Sequence, residues 1–176
     1  MNAHKGFTLI EFVVMAAVIA ILATVALPNF AATIESNREL SEIGTLTAAL
    51  ALARDTATRS GSDVLVCASA NGRDCADTAW NQGYAVEYLT PPPRTGAIIR
   101  SFPALDTHSS LLSSVSNHRI VFHANGMTNL AGLTTFTLCG RRGVNYARAL
   151  DLLVSGLTQA STTLGQDVNG QPLVCS

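Results

Sequence analysis

The first third of the chain carries an apolar run that favours a long helix over every other structure. Between residues 12 and 27 the only polar side chain is Thr24, and the run from Phe7 to Leu27 has roughly the 20 residues that span a bilayer as a helix. Lys5 precedes the run, and Glu11 lies within it. An ionisable side chain in such a segment costs roughly 2.5–3.5 kcal/mol on insertion scales and is usually retained only where a partner charge meets it. The run therefore predicts a helix for a membrane or another apolar environment, with Glu11 paired.

An N-terminal export signal is the alternative interpretation of the same run. A cleaved signal peptide ends in a small-x-small site, and Ala23–Ala26 reads ATVA, which could serve as one. Ordinary secretion and a plain membrane anchor therefore stay open, although neither of them explains Glu11.

The helical spacing continues beyond Pro28. Apolar residues recur at intervals of three and four, at Leu40, Ile43, Leu46 or Thr47, Leu50 and Ala53. The opposite face carries Glu35, Arg38, Glu39, Glu42 and Arg54. The pattern predicts one helix from Phe7 to about Arg59, apolar all round in its first half and amphipathic in its second half. Pro28 lacks an amide hydrogen, so we expect it to bend or locally melt the helix.

Short β-rich runs separated by turn residues fill the rest of the chain. The predicted strands are Val64–Ala68, Tyr84–Leu89, Ala97–Phe102, Leu111–Val115, Arg119–Ala124, Thr134–Cys139 and Ala147–Ser155. Asparagine–glycine pairs predict turns at Asn71–Gly72, Asn125–Gly126 and Asn169–Gly170. Pro91–Arg94 is a loop in this interpretation, because a proline run cannot form a central strand. The expected fold class is α+β, with one long helix packed on an antiparallel sheet.

Four cysteines lie at Cys67, Cys75, Cys139 and Cys175. An even count behind an export signal indicates two disulfides and an oxidising compartment. A zinc site is disfavoured because no pair has C-x-x-C spacing. Three pairings are possible, and we favour the nearest neighbours, Cys67 with Cys75 and Cys139 with Cys175.

The residues G-F-T-L-I-E at positions 6–11 resemble the processing site of type IV pilins and type II secretion pseudopilins. The resemblance implies that prepilin peptidase cuts after Gly6, that the new terminal residue Phe7 is N-methylated, and that the helix stays on the mature protein. It also assigns Glu11 and Pro28 to assembly. The implied division is a leader at 1–6, a transmembrane or filament-core helix at 7–28, the amphipathic half of that helix at 29–60 and a periplasmic β-rich domain at 61–176.

Cleavage after Gly6 would create a free, positively charged amine at Phe7 in apolar surroundings. Glu11 supplies the opposite charge, and pairing offsets the burial cost of both groups. Within one helix the two positions are about one turn apart. The resemblance implies that the more important pairing joins Glu11 of one subunit to the amine of a neighbour already in the filament.

Two interior segments resemble the GspH/FimT family. VLVCASANGRDCADTAWNQGYAVEY is similar to its block of two cysteines flanking a loop, and IVFHANGMTNLAGLTTFTLCGRRGVNYARAL is similar to a later strand–turn–strand block. Trp80 and Gly83 in the first segment fit a core aromatic residue and a turn glycine. The resemblance implies a minor pilin with one span in the inner membrane, which then joins a pilus or pseudopilus. Implied partners are other minor and major pilins or pseudopilins, prepilin peptidase and inner-membrane lipid. The alternatives are pseudopilin H of a type II secretion system and a DNA-binding minor pilin for natural transformation.

No catalytic constellation stands out, so we expect a structural protein rather than an enzyme, without a cofactor or a metal. Asp106–Ser110 holds the residue types of a catalytic triad, but adjacent residues rarely form one, and a polar loop fits better. His118 and His123 are five residues apart and are expected to point to opposite faces of a strand. Asp74 and Asp77 do not match the calcium-loop pattern. The sequence has no P-loop and no dinucleotide fingerprint.

DNA binding is possible but not favoured by the sequence. Some FimT-like proteins bind DNA through arginines of a C-terminal glycine–arginine motif, whereas the corresponding segment Ser155–Ser161 has Gly156 and no arginine. Arg141, Arg142 and Arg148 are the remaining candidates for DNA contacts, and the net charge of the chain is −1. Phosphate contacts require clustered positive charge, so a solvated turn is the preferred interpretation of the GRRG sequence.

Overall fold

The computed structural model of the chain describes residues 7–75, 78–89 and 96–175, and the side chains of residues 25–29 fall outside that description. The expected leader 1–6 with Gly6, the expected loop Pro91–Arg94, and Asp77 therefore lie outside the described residues. The described chain divides into two compact units, residues 1–38 and residues 39–176.

One helix, α1, runs from Leu9 to Ser60, within two residues of both predicted ends. It is continuous through Pro28, so of the two effects expected of this proline, a bend or local melting, the melting does not occur. The loss of one backbone hydrogen bond at a proline does not interrupt the bonds of the neighbouring turns. Gly61 ends the helix, because its φ of +63° is left-handed. The Ser62 amide then donates a hydrogen bond to the Ala57 carbonyl at 3.3 Å.

Among the described residues, two four-stranded antiparallel sheets follow the helix, where the sequence predicts one sheet. The strands are β1 Val64–Ala68, β2 Tyr84–Tyr88, β3 Ile98–Phe102, β4 Ser110–Ser113, β5 Arg119–Phe122, β6 Thr134–Cys139, β7 Arg148–Leu152 and β8 Thr158–Ala160. The first sheet has the order β3-β2-β1-β5 and the second has the order β4-β6-β7-β8. All seven predicted strands are present, and the fold class α+β is confirmed. The prediction missed β8, which has three residues, none of them buried.

The core of the 39–176 unit forms between the C-terminal part of α1 and the two sheets. The helix contributes Ile43, Leu46, Ala49, Leu50, Ala53 and Ala57 to it. Trp80 is fully buried and meets the edge of Phe136, with the ring centroids 5.3 Å apart, which confirms its predicted role as a core aromatic. Gly83 has a φ of +112°, and a Cβ there would lie 2.8 Å from the Phe102 carbonyl oxygen, so the turn requires glycine.

Near residues 39 and 40, the face of α1 that packs on the sheets differs from the predicted face. Leu40 was expected in the core, but it is 50% exposed, whereas Glu39 was expected on the opposite face and is 1% exposed. Glu39 precedes Ile43 by four residues, so the two side chains lie on the same helix face. The predicted placement of Leu40 and Glu39 is therefore wrong, and the physical reason is the pair of arginines that meets Glu39.

Candidate functional site

The start of α1 forms a capping box that the sequence interpretation missed. Thr8 precedes the helix, and its Oγ1 accepts a hydrogen bond from the Glu11 amide at 3.3 Å. The Thr8 amide in turn donates to Glu11 Oε2 at 3.4 Å. The signal was present in the sequence, because T-L-I-E fits the pattern Ser/Thr-x-x-Glu. Glu11 therefore has a local role at the helix start, separate from the pairing with an amine implied for it.

The first half of α1 exposes large apolar side chains on all sides. The exposed set includes Leu9, Ile10, Phe12, Val13, Val14, Met15, Val18, Ile19, Ile21, Leu22, Phe30 and Ile34, and Phe7, which precedes the helix, is exposed as well. A helix that is apolar all round is normally covered by a membrane or by other protein. Within the described part of the chain, no helix has the combination of length and apolarity needed to cross a membrane.

A buried ionic cluster lies within the 39–176 unit, where α1 meets the segment that follows β6 and the first residue of β7. Glu39 Oε2 is 2.5 Å from a terminal guanidinium nitrogen of Arg142 and 3.7 Å from Nε of Arg148. The two arginine side chains are 20% and 17% exposed, against 1% for Glu39. The Arg142 guanidinium also lies over the Tyr146 ring, 4.7 Å from its centroid. We call Glu39, Arg142 and Arg148 the ionic cluster.

Two of the three arginines that are candidates for DNA contacts belong to the ionic cluster. Arg142 and Arg148 converge on Glu39, and Arg141 is left exposed on the GRRG turn, whose Gly143 amide donates to the Gly140 carbonyl at 3.2 Å. The three arginines therefore do not form an open basic patch, and DNA binding is not supported. The role of Gly156 is structural, because its φ is +77° and a Cβ there would lie 2.3 Å from the Gly126 carbonyl oxygen.

Both predicted disulfides are present. Cys67 is bonded to Cys75 with a Cα–Cα distance of 5.5 Å, and Cys139 is bonded to Cys175 with a Cα–Cα distance of 6.0 Å. The second bond holds the C-terminal segment against the sheet, where Leu173 is buried beside Cys139. Stapling this segment covers sheet surface that would otherwise meet water.

Glu87 lies next to the first disulfide and completes a group of three residues whose types often bind metals. The ligand atoms of Cys67, Cys75 and Glu87 all lie within 4.8 Å of one another. The two sulfurs are bonded to each other, so they cannot act as thiolate ligands. Burial raises the pKa of the Glu87 carboxyl, Asp74 raises it further and Arg119 opposes the rise. We therefore interpret this group as a disulfide with a neighbouring carboxyl and not as a set of metal ligands.

The other polar candidates each have an identified neighbour. The His123 Nδ1 atom is 3.3 Å from Asp63 Oδ1, whereas His118 packs edge-on against Trp80 with the ring centroids 6.4 Å apart. Asp106 lies in the loop between β3 and β4, as predicted, and its Oδ1 accepts a hydrogen bond from the His108 amide at 3.0 Å. His123 thus has a carboxylate neighbour and His118 an aromatic neighbour, and the Asp106 carboxylate binds a backbone amide of its own loop.

Comparison with known proteins identifies the family. The family model described as type II transport protein GspH matches residues 42–158, and the model described as prokaryotic N-terminal methylation motif matches residues 1–27. The chain belongs to the GspH family. The predicted resemblance to that family is confirmed, and no curated protein matches the chain significantly.

Two solved structures share the fold of this GspH-family chain. The type IV minor pilin FimU of Pseudomonas aeruginosa is 19% identical, with a TM-score of 0.58 over 72% of this chain and 95% of that chain. The minor pseudopilin EpsH from the type 2 secretion system of Vibrio cholerae is 11% identical, with a TM-score of 0.51 over 70% of this chain and 96% of that chain. Both similar proteins are subunits of pilin type, and identities this low show a common fold.

Proposed function

We propose that the chain is a minor pilin that takes part in the assembly of a type IV pilus, at or near its tip complex. The observation that carries the proposal is the presence of an N-terminal methylation motif and a GspH domain in one chain. The apolar surface of the first half of α1 supports it, because such a surface needs a cover of lipid or of other helices.

Processing is the first step of the proposed function. Prepilin peptidase removes the leader 1–6 by cutting after Gly6, and Phe7 becomes the methylated N-terminus. The helix at 7–28 holds the subunit in the inner membrane as a single span, and the half-helix 29–60 and the domain at 61–176 lie in the periplasm. The subunit then leaves inner-membrane lipid for the filament, where it contacts other minor and major pilins.

Assembly depends on Glu11 and Pro28 in this proposal. Glu11 neutralises the amine of Phe7 in a neighbouring subunit, which offsets the cost of burying two charges among apolar helices. Pro28 leaves one carbonyl of the preceding turn without its helical partner, so this turn can adjust as helices pack in the filament.

A type II secretion system is the second candidate for the assembly that this subunit joins. The family description itself, type II transport protein, favours it. In that case the subunit is pseudopilin H of a secretion pseudopilus, with the same processing and the same helix packing.

Deletion of the gene, followed by complementation with the full chain, tests the proposal. We expect surface pili to be lost or strongly reduced, secretion to continue, and the tagged chain to be found at low abundance in sheared pili. Loss of secretion with normal pili would instead assign the subunit to a type II system. Normal pili and normal secretion, with the chain absent from the filament fraction, would contradict both assignments.

A further inference from the structure

The carboxyl of Glu87 lies against the disulfide that joins Cys67 to Cys75. Cys67 of β1 is paired with Ala85 of β2, and Glu87 follows Ala85 by two residues, so Cys67 and Glu87 lie on the same face of the first sheet. Glu87 Oε1 is 3.2 Å from Cys75 Sγ, and the carboxylate and both sulfurs lie within 4.8 Å of one another. The carboxyl is therefore beside the bond at the point where it opens and closes.

The two sulfurs of this disulfide differ in their access to solvent. Cys67 is 0% exposed, whereas Cys75 is half-buried. A thiol that arrives from solvent therefore attacks Cys75, and Cys67 is the sulfur that leaves. Cys67 packs with Leu65 and Ala85, and an unprotonated thiolate is costly in such apolar surroundings. The departing sulfur thus needs a proton, and Glu87 is the neighbouring acid.

A proton on Glu87 fits its surroundings. A sulfur in a disulfide carries no hydrogen, so a hydrogen bond between Cys75 and Glu87 has to be donated by the carboxyl. Burial raises the pKa of Glu87, Asp74 of the disulfide loop raises it further, and Arg119, opposite Cys67 on β5, opposes the rise. The partner of Glu87 on β3 is apolar. The acid form of Glu87 therefore persists to higher pH than that of an ordinary glutamate.

The loop between the two cysteines keeps its shape through hydrogen bonds of its own. Asn71 Oδ1 accepts hydrogen bonds from the Arg73 amide at 2.8 Å and from the Asp74 amide at 3.0 Å. Neither bond involves a sulfur, so opening of the disulfide leaves both in place. Cys75 is therefore held near Cys67 in the reduced chain, and this proximity favours closure of the bond.

We propose that Cys67 and Cys75 form a thiol–disulfide exchange site, in which Glu87 gives and takes the proton of Cys67. A thiolate of a dithiol attacks Cys75 Sγ, the S–S bond breaks, and the Cys67 sulfur leaves with the electron pair and takes the proton of the Glu87 carboxyl. The second thiol of the dithiol, as a thiolate, then displaces Cys75, so the dithiol becomes a disulfide and the cysteine pair gains two electrons. In the reverse direction the Glu87 carboxylate accepts the proton of Cys67 as the bond forms.

The second disulfide is an internal reference for this chemistry. It also joins a buried cysteine, Cys139, to a half-buried one, Cys175. Within the described part of the chain, no carboxylate or histidine completes a group of the same kind with these two sulfurs. Unfolding of the chain would open both bonds, whereas a substitution at Glu87 that acts through proton transfer changes the first bond alone.

Timed reduction of the full chain in detergent micelles measures both bonds at once. Dithiothreitol opens the disulfides, acid stops the reaction, N-ethylmaleimide labels the thiols, and mass spectrometry quantifies each cysteine peptide. At a mildly acidic pH, Glu87→Gln should slow the opening of the first bond about tenfold and leave the second bond unchanged. General acids contribute about 10²–10⁴-fold, and we expect less because a thiolate also leaves without a proton, only more slowly.

The pH dependence separates proton transfer from a purely structural role of Glu87. With the thiolate concentration of dithiothreitol held constant, the advantage of the native chain over Glu87→Gln should fall as the pH rises through the raised pKa of Glu87, because a carboxylate has no proton to give. Asp74→Asn removes a charge that raises this pKa, so the fall should begin at a lower pH. Glu35→Gln makes the same chemical change within residues 1–38 and should alter neither the rate nor its pH dependence.

Three outcomes would overturn the exchange proposal. They are equal opening of the first bond in the native chain and in Glu87→Gln, an equal slowing of both bonds, and an advantage of the native chain that does not change with pH. Thermal melts followed by circular dichroism verify that each variant folds, and Asp74→Asn provides the pH test without altering the carboxyl itself. The inference goes beyond the proposed function and does not depend on it, because exchange is measured on the purified chain and pilus formation in cells.

Discussion

Replacing Glu39 by glutamine should destabilise the 39–176 unit by about 3 kcal/mol. The substitution removes a buried carboxylate that lies 2.5 Å from a terminal nitrogen of Arg142 and 3.7 Å from Nε of Arg148, both of which are mostly buried. Removing one partner of a buried ion pair typically costs about 3–5 kcal/mol, and we expect the lower end because both arginines keep some contact with water. Urea denaturation measures the loss through the fluorescence of Trp80, which is the one tryptophan of the chain and is fully buried.

Asp55→Asn is the matched control for the Glu39 substitution. It also neutralises an acid on α1 that pairs with an arginine, at a distance of 2.7 Å, but the two side chains are 50% and 79% exposed. Exposed pairs contribute about 0–1 kcal/mol, so this variant should unfold almost like the native chain. A loss below about 1 kcal/mol for Glu39→Gln, or equal losses for both variants, would contradict the structural role of the ionic cluster.

Replacing Glu11 by alanine should leave membrane insertion intact and reduce incorporation into the filament about a hundredfold or more. Without the Glu11 carboxylate, the amine of Phe7 in a processed subunit would be buried with no partner charge, which costs several kcal/mol. A cost of about 2.8 kcal/mol already corresponds to a hundredfold change. The measurement is the ratio of the chain in sheared filaments to the chain in the membrane fraction.

Two further variants separate the charge of Glu11 from its role in the capping box. Glu11→Gln keeps a side chain that can complete the box but removes the charge, so incorporation should fail as it does in the alanine variant. Thr8→Ala removes the capping hydroxyl and keeps the charge, at a cost of about 1 kcal/mol to the start of the helix. Incorporation should then stay close to normal. Loss of incorporation in Thr8→Ala together with normal incorporation of Glu11→Gln would assign the effect to the helix cap.

The elements of the fold could be predicted because their signals are local. The three- and four-residue spacing of apolar side chains marks α1, and the alternation of β-branched runs with turn residues marks seven of the eight strands. The asparagine–glycine turns are equally local, since Gly72, Gly126 and Gly170 all have positive φ values. The disulfide pairs followed from the preference for nearest neighbours, which the fold happens to satisfy.

What the sequence could not predict depends on contacts between distant residues. Nothing near Glu39 in the sequence shows that two arginines more than a hundred positions later will neutralise it, so a charged residue on a helix was assigned to solvent. Two sheets rather than one result from pairing choices among short strands of similar composition. The sequence does not predict β8, because Thr158–Ala160 has no apolar pattern and forms a strand only through its pairing with β7.

The mass of the mature N-terminus tests most directly whether this chain is a processed filament subunit. The chain is purified from membranes of its native host, and its N-terminal peptide is sequenced by mass spectrometry. We predict a peptide that begins at Phe7 and carries one methyl group on its amine. A peptide that begins after Ala26, or an intact leader with Gly6 still joined to Phe7, would contradict the proposal.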